Sequence, residues 1–284
     1  MKKIIKSIGL MTLICFSFFY TDKVMEVINE QDPIMIKLTE IKDEYYSSSV
    51  DATIIGNTIV PGLNGQELDV DASYKNMKQI GVFKTDLIKY TETIPEVSIT
   101  SNKDKYIIKG NKAKQMVSLV FAIKSNSNLT KLEQYLSESN IKTNYFIDYT
   151  YLNNNLNTLK KLSNKELYSY GDNSKYSPDI LLFSNNLIKR ISNDANYCLV
   201  AEESGNDSTL ELCKSNNMYT ILPTIIADTR PYSTIKNNLE AGSIILLETD
   251  AKTIEELPVI VDFITGKGLT IGYLSELLTE KKTT

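Results

Sequence analysis

The sequence predicts an α/β fold with parallel strands from about residue 117 onward. Short runs rich in β-branched and aromatic residues recur there, and segments with apolar residues at helical spacing separate them. A chain of 284 residues, of which 42% are hydrophobic, can fill the core of one large domain and of a second, smaller one.

The predicted elements follow one another in a regular order. The strand candidates are residues 117–123, 143–147, 166–170, 197–200, 219–226, 243–247 and 269–273. Three amphipathic helices are expected between them, each with an apolar stripe that packs against the sheet. Their apolar residues are Leu129, Leu132 and Leu136 in the first, Leu210 and Cys213 in the second, and Ile254, Leu257, Val261 and Ile264 in the third.

The N-terminus has the pattern of an export segment. Lys2, Lys3 and Lys6 precede an apolar run at residues 7–20. Bulky aromatic residues stand where a cleavage site would need small ones, so we predict an uncleaved signal anchor at residues 1–22. The basic end favours a cytoplasmic N-terminus. The expected localisation is the cell membrane with an extracytoplasmic domain, or secretion if the leader is cleaved. A buried N-terminal helix is the alternative.

Residues 23–110 lack the alternation of the later part and are predicted to form a small α+β domain or lead-in. The remainder, residues 111–284, is predicted to form the main domain. Within the first region, residues 53–60 and 66–70 are expected to pair as a hairpin across an Asn-Gly turn.

The acidic stretch after this hairpin has two interpretations. Asp69, Asp71 and Ser73 have the alternate spacing of ligands in a calcium loop. Tyr74 and Ile80 occupy the positions where such a loop needs glycine and glutamate. We therefore predict that Asp71 caps a helix.

Composition excludes several functional classes. The chain has no histidine, which excludes Ser-His-Asp, Cys-His and histidine-ligated zinc chemistry. A net charge of -4 provides no basic field for nucleic acid, so no nucleic-acid partner is expected. Cys15 lies in the leader, which leaves Cys198 and Cys213 as the candidate disulfide pair. Two buried thiols are the favoured interpretation.

Several segments resemble the polysaccharide deacetylases of the NodB-homology type, over roughly residues 112–278. Residues 117–123 stand where that family has a first strand ending in Thr-Phe-Asp-Asp, and residues 141–147 are similar to its second strand. Residues 242–248, with the sequence GSIILLE, resemble its GSIILLH strand. Its C-terminal pattern is matched at residues 256–261, 267–270 and 274–278. The resemblance implies an irregular (β/α) barrel with its site at the C-terminal ends of the strands.

The family's catalytic residues are replaced at the matching positions. Ala122 and Ile123 stand in place of the paired aspartates, one of which acts as base while the other binds the metal. Tyr170 and Ser174 stand in place of the two metal-binding histidines, and Glu248 in place of the histidine that acts as acid.

Two further family features are also missing. No arginine is present near residues 199–203, where the family has an arginine-proline loop, and Pro231-Tyr232 replaces its Asp-Trp pair. Metal-bound water is the nucleophile of this chemistry, so losing the ligands and the base together removes the mechanism. The resemblance therefore implies a pseudoenzyme that holds no metal or other cofactor.

The residues left at the predicted barrel mouth suit glycan recognition. Tyr170, Asp228, Arg230 and Glu248, together with Glu202, would form a polar mouth with an aromatic edge. The partner expected from this set is a cell-wall or surface polysaccharide. The membrane is the second expected partner, through the N-terminal segment.

Two other functions remain open from the sequence. Glu248 and Asp228 are candidates for the acid and base of a glycosidase-like or divergent hydrolase, which needs neither metal nor histidine. Alternatively, the barrel is a structural scaffold that binds another envelope protein, a role that predicts an exposed apolar patch.

Overall fold

A computed structural model describes most of the chain. The described residues are 11, 16–17, 20–21, 23–25, 27–124, 128–192, 196–202 and 205–282. Most of the predicted leader lies outside this set, and its described residues are helical. None of the helices formed by the described residues has both the length and the apolar character needed to cross a membrane.

The elements alternate as an α/β fold requires. The α-helices are α1 (Pro33–Ile41), α2 (Val70–Lys78), α3 (Leu129–Glu138), α4 (Tyr149–Asn154), α5 (Leu156–Leu159), α6 (Pro178–Ile188), α7 (Asp207–Ser215), α8 (Pro231–Asn238), α9 (Ala251–Gly266) and α10 (Leu274–Leu278). Short 3-10 helices span Lys42–Tyr45, Thr85–Leu87, Lys112–Lys114 and Lys160–Leu162. The strands are β1 (Thr53–Ile55), β2 (Thr58–Val60), β3 (Gly65–Asp69), β4 (Lys89–Thr93), β5 (Tyr106–Ile107), β6 (Met116–Ile123), β7 (Asn144–Ile147), β8 (Glu166–Ser169), β9 (Tyr197–Leu199), β10 (Tyr219–Ile221), β11 (Ile225–Ala227), β12 (Ile244–Glu248) and β13 (Thr270–Ile271).

The chain divides into two compact units. The smaller contains residues 1–49 and 65–93, and the larger contains residues 50–64 and 94–284. This division differs from the single predicted boundary at residue 110, because residues 50–64 and 94–110 belong to the larger unit.

The smaller unit has its own core. Strands β3 and β4 pair antiparallel, α2 packs against both strands, and α1 packs against α2. The buried apolar side chains are Leu38, Leu68, Tyr74, Met77 and Ile88. The predicted α+β character of this region is therefore confirmed.

Two local predictions for the N-terminal region are wrong. The hairpin is formed by β1 and β2 alone, through a turn in which Gly56 has a φ of 58°. Strand β3 lies in the other unit and pairs with β4. The cap of α2 is Asp69, whose carboxylate accepts from the Ala72 N–H at 2.9 Å, and Asp71 is in the first helical turn. The hairpin error arises because the turn at Gly56 falls inside the predicted first strand. The capping error is a shift of the helix start within a polar segment, where local pattern poorly defines boundaries.

The larger unit is built from two predominantly parallel sheets. One has the order β11-β12-β6-β7-β8, with β13 paired to the start of β6, and the other has the order β1-β2-β5-β10-β9. Among the described strands of these sheets, β1 and β2 are the one antiparallel pair. The predicted α/β fold of the (β/α) barrel type is confirmed.

Successive side chains along the strands belong alternately to two apolar layers. Strand β6 shows the division: Val120 and Ala122 belong to an inner cluster, while Phe121 and Ile123 belong to an outer one. The inner cluster also takes Phe146, Tyr168, Tyr197, Ile221 and Leu246 from other strands. The outer cluster takes the predicted leucine stripe of α3 and the apolar face of α9. Period-two alternation thus gives these strands a barrel-like interior and a helix-covered exterior.

One predicted strand is in fact two. The run at residues 219–226 divides at Pro223, which has no backbone N–H to donate to a ladder. The chain passes there from β10 in one sheet to β11 in the other. Helices α6 and α8 were not predicted from the sequence.

The C-terminal helix α10 closes the end of the barrel opposite the mouth. Its leucines lie in the inner cluster, and the Leu274 N–H donates to the Asn144 side chain at 2.7 Å. The buried Glu166 carboxylate accepts from the Ser275 N–H at 3.1 Å and the Tyr168 hydroxyl at 2.7 Å. These bonds tie the C-terminal helix to Asn144 and Glu166, the first residues of β7 and β8.

The two cysteines outside the leader form a disulfide, so the favoured interpretation as two thiols is wrong. Cys198 of β9 and Cys213 of α7 are both fully buried, with their Cα atoms 6.4 Å apart. Packing of α7 against β9 and β10 brings the two residues together. Sequence spacing alone carries no information about that packing.

Candidate functional site at the barrel mouth

Four polar or aromatic residues stand where neighbouring strands end. Lys124 follows β6, Asp148 follows β7, Tyr170 follows β8, and Glu248 is the last residue of β12. Strand β6 lies between β7 and β12, and β7 pairs with β8. Because these pairings are parallel, the four residues share one edge of the sheet. Together they are named the mouth cluster.

An ion pair forms the centre of the mouth cluster. The Lys124 Nζ lies 2.6 Å from a Glu248 carboxylate oxygen and 5.5 Å from the centre of the Tyr170 ring. The side chains of Lys124 and Glu248 are 27% and 34% exposed, whereas Tyr170 is buried. The pair is therefore held against an aromatic wall but stays within reach of solvent.

The electrostatics favour a charged lysine beside a neutral tyrosine. Burial disfavours the charge on Lys124, but the hydrogen bond to Glu248 and the charges around it outweigh this, so the pKa of Lys124 is raised above its ordinary value. Burial raises the pKa of Tyr170, and the nearby Lys124 only partly opposes this. At neutral pH the cluster thus contains a lysine ammonium beside a neutral phenol.

The Asp148 carboxylate is held by backbone donors. One oxygen accepts from the Thr150 and Tyr151 N–H groups at 2.9 and 3.3 Å, which caps α4. The other accepts from the Asn173 N–H at 2.9 Å. Three N–H groups therefore stabilise this buried charge and order the loop after β8.

The two positions of the deacetylase aspartates are part of the apolar core. Ala122 and Ile123 are both fully buried. Ala122 points into the inner cluster, and Ile123 packs in the outer cluster beneath the helices. Neither side chain can accept a proton or bind a metal.

Ser174, at the position of the second metal-binding histidine, joins the two sheets. Its hydroxyl donates to the Leu199 carbonyl and accepts from the Ala201 N–H, both at 3.3 Å. Nearby, the Tyr176 hydroxyl donates to the Ser169 carbonyl at 2.7 Å and accepts from the Leu199 N–H at 3.0 Å. Side-chain hydroxyls thus bridge β8 and β9, and Ser174 has a structural role.

The other predicted site residues lie on exposed loops. Asp228 and Arg230 are exposed in the segment between β11 and α8, where the Asp228 carboxylate accepts from the Thr229 N–H. Glu202 is also exposed, in the loop after β9. The structure therefore brings Tyr170 and Glu248 together on either side of Lys124. Among the contacts of the described residues, none joins Asp228 or Arg230 to Tyr170 or Glu248.

The residues of the mouth do not fit the metal that this fold implies. No group of three or more histidine, cysteine, aspartate or glutamate residues suited to a metal ion occurs within the described parts of the chain. At the mouth, a lysine ammonium stands between Tyr170, at the position of one metal-binding histidine, and Glu248, at the position of the acid histidine. A positive charge at that place opposes binding of a cation.

Sequence reasoning missed Lys124 and Asp148. Each directly follows a predicted strand, where the active site of a barrel is expected. Their position directly after a strand was the signal that could have identified them. It was overlooked because the site residues were sought at the positions of the family's catalytic residues, and neither Lys124 nor Asp148 aligns with one of those.

The fold is that of a known class of protein. The chain has the fold of the carbohydrate esterase family 4 (CE4) polysaccharide deacetylases, which confirms the resemblance seen in the sequence at the level of the fold. No family model matches the chain.

Particular relatives include both an inactive and an active protein. The chain is similar to BA3943 of Bacillus anthracis, a CE4 family pseudoenzyme, with 22% identity, coverage of 89% of this chain and 97% of the other, and a TM-score of 0.66. A mutant of BA3943 with restored enzymatic activity gives the same TM-score. The Bc1960 peptidoglycan N-acetylglucosamine deacetylase is 16% identical over 62% of this chain and 95% of the other, with a TM-score of 0.54. The uncharacterized protein YlxY of Bacillus subtilis (strain 168) is 26% identical over 282 residues, covering 90% of this chain and 86% of its own length.

Proposed function

We propose that this chain is a catalytically inactive polysaccharide-deacetylase-like protein of the cell envelope, which binds cell-wall or surface polysaccharide at the mouth cluster. The observation that carries the proposal is the state of the catalytic positions. Buried apolar side chains replace the paired aspartates, and a lysine-glutamate ion pair lies beside Tyr170, which stands at the position of one metal-binding histidine.

The loss of activity follows from the chemistry. Deacetylation by this fold requires a metal that activates water and a base that removes its proton. Ala122 and Ile123 supply neither function, and the Glu248 carboxylate is engaged by Lys124. The likeness to the BA3943 pseudoenzyme supports this part of the proposal.

Glycan binding is supported by the groups that remain accessible. Lys124 offers donors, Glu248 offers acceptors, and both keep about a third of their side-chain surface in contact with solvent. Sugars present hydroxyl groups that donate and accept hydrogen bonds, which these two side chains can match, while the buried Tyr170 forms the wall behind the ion pair. One structural relative, Bc1960, is a deacetylase of peptidoglycan N-acetylglucosamine.

An envelope location is supported by two observations. The apolar side chains of Met11, Phe16 and Tyr20 are each at least 65% exposed, which is unfavourable in water and suits a membrane anchor. The Cys198–Cys213 disulfide is typical of proteins in an oxidising compartment outside the cytoplasm. Both agree with the lysine-flanked apolar leader.

Retention on insoluble peptidoglycan and on chitin tests the binding site. We expect Glu248→Gln in the full-length protein to weaken retention by about tenfold, because a charge-assisted acceptor and the ion pair are both lost. The dissociation constant, from the fraction of protein bound at increasing glycan concentration, is the quantity to measure.

The matched control is Glu240→Gln. Glu240 also pairs with a lysine, Lys109, at 2.9 Å, but it is 54% exposed and precedes β12 instead of ending it. Its retention should equal that of the wild type. Equal retention by the wild type and Glu248→Gln would remove the proposed binding site.

A further inference from the structure

We propose that the Lys124 ammonium is a built-in replacement for the metal ion at the barrel mouth, and that it keeps divalent cations out of this site. The inference rests on the proposed loss of the metal-dependent reaction. It gives the loss of metal binding a second cause. The site lacks metal ligands, and it also contains a fixed positive charge.

The position of Lys124 is the first support. It directly follows β6, whose last two residues stand in place of the family's aspartates. Its ammonium contacts Glu248, which stands in place of one histidine, and the ring of Tyr170, which stands in place of another. One cation therefore lies between the position of a metal-binding histidine and the position of the histidine that acts as acid.

The charge balance of the site is the second support. The Glu248 carboxylate is paired with Lys124 at 2.6 Å, and the Asp148 carboxylate accepts from three backbone N–H groups. Both negative charges are thus stabilised within the protein. A divalent cation could bind Glu248 only by displacing an ammonium that lies within hydrogen-bonding distance of it.

The surroundings of Lys124 hold it in place. Its side chain is mostly buried, and the Tyr170 ring beside it is held in the inner cluster. The ring face attracts a cation. A cation on a buried stem, between an aromatic face and a carboxylate, is far more constrained than a lysine on an open surface.

Zinc binding by charge variants tests the inference. We expect full-length Lys124→Met, dialysed against zinc ions and analysed by mass spectrometry for bound metal, to bind zinc at least about tenfold more tightly than the wild type. Methionine keeps the length and apolar stem of lysine but removes the charge. Lys124→Arg, which keeps the charge, should bind no more zinc than the wild type.

Two further variants locate the effect. Adding Glu248→Gln to Lys124→Met should abolish the gained zinc binding, because the freed carboxylate is lost. Lys109→Met, which frees Glu240 elsewhere, should leave zinc binding at the wild-type level. Circular dichroism of each variant shows that it is folded.

Three outcomes would overturn the inference. The first is that Lys124→Met binds zinc no more tightly than the wild type. The second is that Lys124→Arg binds zinc more tightly than the wild type. The third is that the double variant Lys124→Met/Glu248→Gln keeps the increased zinc affinity of Lys124→Met. Glycan retention is measured on separate samples without zinc. A protein that binds no glycan could still show the predicted zinc pattern, so the two proposals fail independently.

Discussion

Replacing Ile123 with aspartate should lower the free energy of unfolding by about 3 kcal/mol or more, because a carboxylate would be buried without a partner. Ile123 is fully buried in the outer cluster, between the sheet and the helices that cover it. The change restores the residue type that the deacetylases have at this position. In this chain, however, the new aspartate would lie in a layer that is packed with apolar side chains.

Urea unfolding monitored by circular dichroism measures this effect. Ile123→Val is the matched control, since it removes one methylene group without adding charge and should cost only about 0.5–1.5 kcal/mol. An Ile123→Asp protein with nearly wild-type stability would show that this position tolerates a carboxylate, which would contradict its assignment to the core.

Removing the disulfide should cost about 3 kcal/mol of unfolding free energy, the value expected for a crosslink that closes a loop of this length. Cys198 and Cys213 are separated by 15 positions, and both are fully buried. The double variant Cys198→Ala/Cys213→Ala keeps the site apolar and small. The main loss is therefore the constraint that the crosslink places on the unfolded chain.

A reducing agent provides the control for this prediction. It should destabilise the wild type by a similar amount and leave the double variant unchanged. Thiol labelling of the denatured, unreduced wild type should modify only Cys15, the remaining one of the three cysteines. Labelling of all three cysteines would contradict the crosslink.

The barrel strands could be predicted because they are buried on both faces. A strand such as β6 is a continuous run of apolar residues, seven of its eight residues being buried, and local composition is sufficient to identify it. For the same reason, the run at residues 219–226 was wrongly predicted to be a single strand. It is continuously apolar, and only the pairing of β10 and β11 in different sheets shows that it is two strands.

The candidate site was predicted only in part. Tyr170 and Glu248 were found by comparing positions with a known family, and both belong to the mouth cluster. Lys124 could not be recognised as their partner, because its contact with Glu248 depends on the pairing of β6 with β12 across more than a hundred residues. The disulfide is a similar case, since it depends on how α7 packs.

The most direct test of the central claim is acetate release by the full-length protein from acetylated chitooligosaccharides and peptidoglycan, with zinc added and with a chelator added. The predicted result is no release above the protein-free blank under either condition, because the chain has no carboxylate pair after β6 and a lysine ammonium at the mouth. Acetate release that requires zinc and stops with the chelator would contradict it.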